Sequence, residues 1–168
     1  MSATIQLLKC TSADAGVETD VTATGVRLKS IDDATTAPAS APITIPAADT
    51  AYSFETWLRF NCSVAPDNQC DNFQVWSLGN EIQAGEAKVT LNSDAVDTGV
   101  TPVDTLSAAG TRTDFHVSTA GTKIAVAGTL TTADDETDYA VLQLEVYTGA
   151  TQGDVTQSSE FNYSYDEN

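Results

Sequence analysis

Apolar and polar side chains alternate most regularly over residues 52–64, YSFETWLRFNCSV. The apolar side chains on one face of this segment are Tyr52, Phe54, Leu58, Phe60, Cys62 and Val64. The opposite face is polar, except that it also carries Trp57. A repeat of two residues is typical of a β-strand with one buried face. We therefore predict a strand over 52–64, then a turn-forming loop over 65–71 and another strand over 72–79.

Further segments have the alternation or the composition of strands. They are residues 3–10, 21–31, 86–92, 139–148 and 160–166. In the second of these, Val26 and Leu28 fall on one face, and Arg27 and Lys29 fall on the other. In the last, the aromatic side chains of the C-terminal end share one face, which predicts an ordered closing strand.

Two other regions predict a hairpin and an arm. Residues 113–118 and 122–130 flank a turn at Ala120-Gly121 and are predicted to form a hairpin. Residues 32–50 contain three prolines and few helix formers, so neither a central strand nor a helix is expected. We predict that 32–50 is an extended Pro-rich arm or a long surface loop.

These elements together predict an all-β fold. Many short strands separated by Gly, Pro and Asp favour an antiparallel, jelly-roll-like β-sandwich of about eight or nine strands. Thr is the commonest residue, at 25 of 168, and its branched side chain favours strands. The length suits one domain, so we predict a single domain over 1–168.

The charge of the chain excludes several classes of partner. There are 24 acidic and 7 basic residues, which gives a formal net charge of -17. Nucleic acids and anionic membrane surfaces are bound through Lys and Arg, so neither is an expected partner. No apolar stretch approaches the about 20 residues of a membrane span. The N-terminal residues do not have the pattern of a signal peptide, which predicts a protein made in the cytoplasm.

The acidity itself has two interpretations. Self-repulsion between acidic chains keeps a protein soluble. The alternative is adaptation to concentrated salt, because the Debye length falls to about 3 Å at molar ionic strength and screens that repulsion. Both interpretations stay open at the level of the sequence.

Catalytic groups are scarce. His116 is the only histidine, so a Ser-His-Asp or Cys-His arrangement would have to use it. Its neighbours Phe115 and Val117 indicate an ordinary, half-exposed strand histidine. Carboxylate pairs have no specificity among 24 acids, and the standard Gly-rich phosphate loops are absent. We predict that the protein is not an enzyme.

The three cysteines leave two possibilities open. Cys62 and Cys70 bracket the turn between two predicted strands, so a disulfide could join them and contribute a few kcal/mol. The alternative is two free thiols, since free cysteines are often buried. Cys10 has no evident partner.

Two acidic clusters are candidate calcium sites. The members are Asp67, Asn68 and Asp71 in one cluster, and Asp134, Asp135, Glu136 and Asp138 in the other. Calcium takes about six to eight oxygen ligands, but neither cluster has the EF-hand spacing. We favour solvated turn acids over a metal site and expect no other cofactor.

Trp57 and Trp76 are candidate ligand-binding or interface aromatics. Flat, exposed rings stack on sugars, and the two side chains are predicted to share the second face of one sheet. The competing interpretation is that a neighbouring subunit or the 32–50 arm covers this face. We favour the covered interpretation.

Two parts of the chain resemble a known group of proteins. The segment YSFETWLRF leads through a short loop to NFQVWSLG, and YAVLQLEVYTGATQGDV leads to SSEFNYSYDEN at the end. This order of strand types is similar to that of small β-sandwich virion proteins of tailed viruses. Those proteins have a strand of type S-F-x-x-W/Y-L-R, then N-x-x-x-W, and end on S-Y-D-E. The resemblance covers 52–79 and 139–168, and the cysteine pair and the acidity depart from it.

The resemblance implies a structural role in a virion. The expected function is a minor capsid, decoration or turret component, with the protein itself and other capsid proteins as partners. A trimer, pentamer or other closed ring is the expected homo-oligomer. The acidity would suit a virus of a halophilic archaeal or marine host. The alternative is a carbohydrate- or receptor-binding β-sandwich module.

Overall fold

The computed structural model describes residues 2–35, 41–77, 86–93, 99–108, 112–151 and 161–168. The strands are β1 Thr4–Thr11, β2 Val17–Asp20, β3 Thr50–Tyr52, β4 Thr56–Val64, β5 Cys70–Trp76, β6 Ala87–Asn92, β7 Arg112–Asp114, β8 Ile124–Ala125, β9 Ala140–Tyr147 and β10 Asn162–Glu167. A 3-10 turn at Ala13–Ala15 follows β1. The prediction of an all-β protein is confirmed.

The strands form two antiparallel sheets. The large sheet has seven strands in the order β2-β1-β4-β9-β6-β7, with β3 also paired to β9. The small sheet has the order β10-β5-β8. The described part therefore has ten strands, where about eight or nine were expected. One reason is that the predicted strand 52–64 divides into β3 and β4.

Aromatic side chains pack the two sheets face to face. Phe60 of β4 stacks on Phe73 of β5 with ring centroids 5.2 Å apart. From β10, Tyr163 lies 5.1 Å from Phe60, and Tyr165 stacks on Phe73 at 5.6 Å. The shared face predicted for the C-terminal aromatics is thus the face that closes the core, and the architecture is that of a β-sandwich.

The chain between β8 and β9 closes one side of this sandwich. Leu130 and Cys70 exchange both backbone hydrogen bonds, at 2.8 and 2.9 Å, next to β5. A few residues later, the N–H of Asp134 donates to the C=O of Cys62 of β4 at 2.8 Å, and the N–H of Cys62 donates to the C=O of Asp135 at 2.9 Å. One segment therefore satisfies backbone groups of both sheets.

The central strand β4 is buried on both faces, not on one. Phe60 faces the small sheet, whereas Trp57 on the opposite face has 0% of its surface exposed. Trp57 packs edge-on against Tyr139 at 5.1 Å, and Ala15 of the 3-10 turn belongs to the same cluster. Gly99 lies against this 3-10 turn. A Cβ at position 99 would be 2.4 Å from the carbonyl oxygen of Asp14, so glycine is needed there. The polar face of the predicted strand is covered by the chain itself.

The predicted strand over 21–31 is wrong. A turn begins at Val21, where the N–H of Gly25 donates to the C=O of Val21 at 2.9 Å and Gly25 has φ of 72°. The second strand lies earlier, at β2. Val26 and Leu28 still pack against the core between the sheets. The alternation therefore marked an extended segment that covers the core without a strand partner.

The predicted hairpin of 113–118 and 122–130 is also wrong. β7 pairs with β6 in the large sheet, whereas β8 pairs with β5 in the small sheet. The turn between them carries the chain from one sheet to the other. In the predicted arm, residues 32–35 and 41–49 contain neither helix nor strand, and 36–40 lie outside the described residues.

Phe60→Ala is expected to lower the free energy of unfolding by about 3–5 kcal/mol, because it leaves a cavity where two other rings meet. Urea unfolding measures the change. The matched control is Val117→Ala on a side chain that is 67% exposed, with an expected effect within about 0.5 kcal/mol. Equal losses in the two variants would contradict the central position of Phe60.

Candidate functional site

Three consecutive residues of β3 line an open depression of about 500 Å³, which we call the β3 trough. The lining residues are Ser30, Ile43 and Thr44 on one side, Thr50, Ala51 and Tyr52 of β3, and Asp104, Thr105 and Leu106 on the other side. The volume lies in the range of about 300–1,000 Å³ that is usual for ligand sites. Asp104 is the only lining residue that is charged at neutral pH.

One edge of the β3 backbone lies along this trough. The N–H of Ser53 donates to the C=O of Leu144 in β9 at 2.9 Å, and β3 continues in the same antiparallel register. Because hydrogen-bonded positions alternate along such a pair, Ala51 also points its backbone groups at β9. The N–H and C=O groups of Thr50 and Tyr52 therefore point away from β9. No second strand pairs with this edge in the described ranges.

Lys29 fixes one wall of the trough. Its C=O accepts a hydrogen bond from the N–H of Phe54 at 2.8 Å. Its side chain, only 4% exposed, donates to Asp33 Oδ1 at 2.8 Å and to Thr35 Oγ1 at 2.7 Å. The hydrogen bond from Lys29 lowers the pKa of the Asp33 carboxyl. Alternation alone could not show that Lys29 is buried, and this anchor holds Ser30 beside β3.

Glu55 fixes the opposite wall. Its N–H donates to the C=O of Val103 at 2.8 Å, and its Oε2 accepts from the N–H of Val103 at 3.4 Å. The same oxygen accepts a hydrogen bond from Trp57 Nε1 at 3.0 Å. Trp57 is thus a buried support of this wall and not an exposed ring. Within a single chain its ring is already fully buried, in a cluster that includes Ala15 of the 3-10 turn and Tyr139.

Gln143 is a supporting residue that the sequence analysis missed. It lies on the outer face of β9 and is 1% exposed. Its Nε2 donates to the C=O of Ser53 at 3.0 Å and to the C=O of Thr105 at 2.7 Å, and its Oε1 accepts from the N–H of Ser107 at 3.0 Å. A glutamine between the apolar residues Leu142 and Leu144 was the available signal.

Trp76 lies apart from the trough, in the small sheet. Trp57 belongs to the large sheet, so the prediction that the two rings share one face of a sheet is wrong. The ammonium of Lys123 lies 4.4 Å from the centroid of the Trp76 ring. This cation–π contact covers the ring face on which a sugar would stack.

Exposed aliphatic side chains occur in the segments that line the trough. Leu106, which lines it, is 51% exposed. Ile31, Ile45 and Val103 are next in sequence to lining residues and are 44%, 36% and 38% exposed. Leu106 is therefore the exposed aliphatic side chain that the trough itself presents.

The structure does not bring the predicted acidic cluster together as a cation site. The residues concerned are Asp134, Asp135, Glu136 and Asp138. Asp135 Oδ2 accepts hydrogen bonds from Thr131 N, Thr131 Oγ1 and Thr132 N at 2.7, 3.0 and 2.8 Å. Glu136 pairs with Arg59 at 2.7 Å. In the part of the chain that the structure describes, no three His, Cys, Asp or Glu residues are placed to hold a metal.

The other acidic cluster is also used locally. Asp71 Oδ1 accepts a hydrogen bond from Asn168 Nδ2 at 3.4 Å, and Asp71 Oδ2 accepts one from Gln69 Nε2. Asp71 thus ties the start of β5 to Asn168, and among the described residues it is not part of a group placed to hold a metal.

All three cysteines are buried, free thiols in the structure. The Cys62 thiol donates to the C=O of Val64 at 3.0 Å. Burial raises the pKa of Cys62 and of Cys70, and raises that of Cys10 to about 11. The disulfide between Cys62 and Cys70 stays a prediction.

His116 is not the half-exposed strand residue that was expected. It lies in the turn after β7 and is 9% exposed, and its N–H donates to Asp114 Oδ1 at 3.0 Å.

Among the described residues, no helix has the length and apolarity to cross a membrane.

Comparison of the chain with protein-family models, with curated proteins and with solved structures finds no match.

Asp135→Asn is expected to lower the melting temperature at neutral pH, because it removes the charge that the amides and hydroxyl stabilise. Hydrogen bonds from the Thr131 and Thr132 backbone lower the pKa of Asp135 from 3.8 to about 2. The charged form is therefore favoured by folding above pH 3.8, and this contribution is lost as the pH falls through about 2.

The measurement is the melting temperature of both proteins between pH 7 and pH 2, where the difference is expected to shrink. Asp134→Asn is the matched control, since it removes the same charge without these three hydrogen bonds. A difference that does not change with pH would contradict the proposed cause.

Native protein is expected to react slowly with an alkylating reagent, because burial and raised pKa values keep the thiols protonated. After unfolding without reductant, mass spectrometry should count 3 modified cysteines. A single modified cysteine, mapped to Cys10, would show instead that Cys62 and Cys70 are bridged.

Proposed function

We propose that this protein is a non-enzymatic structural protein that assembles with copies of itself, as a minor capsid, decoration or turret component of a virion. The observation that carries the proposal is the uncharged edge of β3, with exposed aliphatic side chains in the segments that line the trough beside it. Exposed apolar side chains that cluster are typical of sites that contact other proteins. They are notable on a chain whose formal charge is -17.

The net charge makes assembly dependent on salt. Copies of an acidic chain repel one another at low ionic strength. At molar salt the Debye length falls to about 3 Å, and short-range apolar contacts then dominate. A saline host, as proposed for this protein, would provide that condition.

The packing of the candidate catalytic groups supports a non-enzymatic role. His116 is 9% exposed, and the carboxylates of Asp135 and Glu136 are engaged by Thr131, Thr132 and Arg59. Each of these groups has a structural partner or a structural position, and the trough contains a single carboxylate, that of Asp104.

The virion setting is supported by the resemblance, whose two segments lie together in the fold. The segment 52–79 contains β4 and β5, and 139–168 contains β9 and β10. β4 pairs with β9, and β5 pairs with β10. The two parts of the chain that resemble virion proteins thus pair with each other in both sheets.

A second candidate function is carbohydrate binding. The trough is lined by the hydroxyl groups of Ser30, Thr44, Thr50, Tyr52 and Thr105. Together with the Asp104 carboxylate, these groups could exchange hydrogen bonds with sugar hydroxyls. A glycan that binds a clean monomer at this trough would favour the second candidate over the first.

Sedimentation velocity at low and molar salt tests the first candidate. We expect a species larger than the 17.6 kDa monomer at molar salt, with a shift toward the monomer at low salt. The reason is that salt screens the repulsion between acidic copies while it leaves apolar contacts in place. A 17.6 kDa species at both salt concentrations would contradict self-assembly.

A further inference from the structure

We propose that the edge of β3 pairs with the same edge of a second copy, antiparallel about a two-fold axis, so that two large sheets become continuous. The proposal rests on the self-assembly in the proposed function and identifies the surface that carries it.

The charge pattern of the strand edges singles out β3. Charged side chains on an edge strand discourage pairing with another chain. Three other strands lie at the ends of the described sheets, and each carries charged residues. These residues are Glu18 and Asp20 in β2, Arg112 and Asp114 in β7, and Asp166 and Glu167 in β10. β8 has only two residues and follows Lys123. β3, with the sequence Thr-Ala-Tyr, carries no charge and no proline.

The directions of the backbone groups fix the register of the pairing. Thr50 and Tyr52 present their N–H and C=O groups to the trough, and Ala51 between them is bonded to β9. When two such edges meet antiparallel, Ala51 lies opposite Ala51 of the second copy. Thr50 then lies opposite Tyr52 of the second copy, and each of these two pairs can exchange both hydrogen bonds. A two-fold axis makes this contact self-complementary.

The charge of the trough favours a second copy over a basic partner. A copy of this chain brings the same charge of -17 to any contact, so it is repelled wherever carboxylates face each other. Asp104 is the single charged residue in the lining of the trough, whereas Leu106 in the same lining offers exposed apolar surface to be buried. A basic partner would gain more from the acidic surface elsewhere.

Two variants test the interface by sedimentation at molar salt. Tyr52→Pro removes an N–H from the free edge and puts a ring into the trough, while Ala51 and Ser53 still pair with β9. Leu106→Asp adds a carboxylate in the trough lining, on a side chain that is already 51% exposed, so its fold should be unaffected. Each variant should weaken self-association by about tenfold or more, which is the effect expected of lost or opposed interface contacts.

Val117→Asp is the matched control, because it makes the same kind of change on a side chain that is 67% exposed and away from the trough lining. It should associate as the unmodified protein does. Circular dichroism and thermal melting check that each variant is folded.

The outcomes separate this inference from the proposed function. Monomeric variants beside an associating control support the β3 interface. If the unmodified protein and both variants associate equally, the β3 interface is overturned while self-assembly stands. If the unmodified protein stays monomeric at every salt concentration, self-assembly itself fails, and the trough belongs to another occupant such as a glycan.

Discussion

The central strand β4 is buried on both faces, so the large sheet needs cover on each side. The small sheet has three strands and cannot cover the inner face alone. Val26 and Leu28, in the segment after β2, pack against the rest of that core. On the outer face, Ala15 of the 3-10 turn packs in the cluster that contains Trp57, and Gly99 lies against that turn. Described segments without regular structure thus help to cover both faces of this sheet.

These covering loops are attached by buried polar side chains. Lys29, Glu55 and Gln143 carry polar groups that would be costly to bury without a partner. Each of these side chains forms hydrogen bonds with loop backbone or with neighbouring side chains. Both sets of attachments come close to the break between β3 and β4. There the N–H of Ser53 donates to Leu144 of β9, whereas the N–H of Phe54 donates to Lys29. The edge of β3 is left open between them, so the trough is a consequence of how the sheet is covered.

The sequence predicted the strands that carry strong alternation, because the core side of each sheet imposes a period of two. It could not predict whether the second face is exposed, since that depends on loops distant in sequence. Trp57 and Lys29 were misplaced for this reason. Spacing alone placed Asp135 in a candidate calcium site with its sequence neighbours. In the structure, its carboxylate instead accepts hydrogen bonds from Thr131 and Thr132. The trough was beyond prediction because its walls come from three separate segments.

The acidic surface and the neutral edge of β3 have a common physical meaning. On a chain with a net charge of -17, contact between copies is opposed wherever carboxylates meet. Glu18 and Asp20 on β2 therefore discourage pairing at that edge, and the same holds for the acids of β10. Under the proposed assembly, the absence of charge selects the place of contact, and the strength of contact follows the ionic strength. Acidity then limits assembly to one surface and does not simply oppose it.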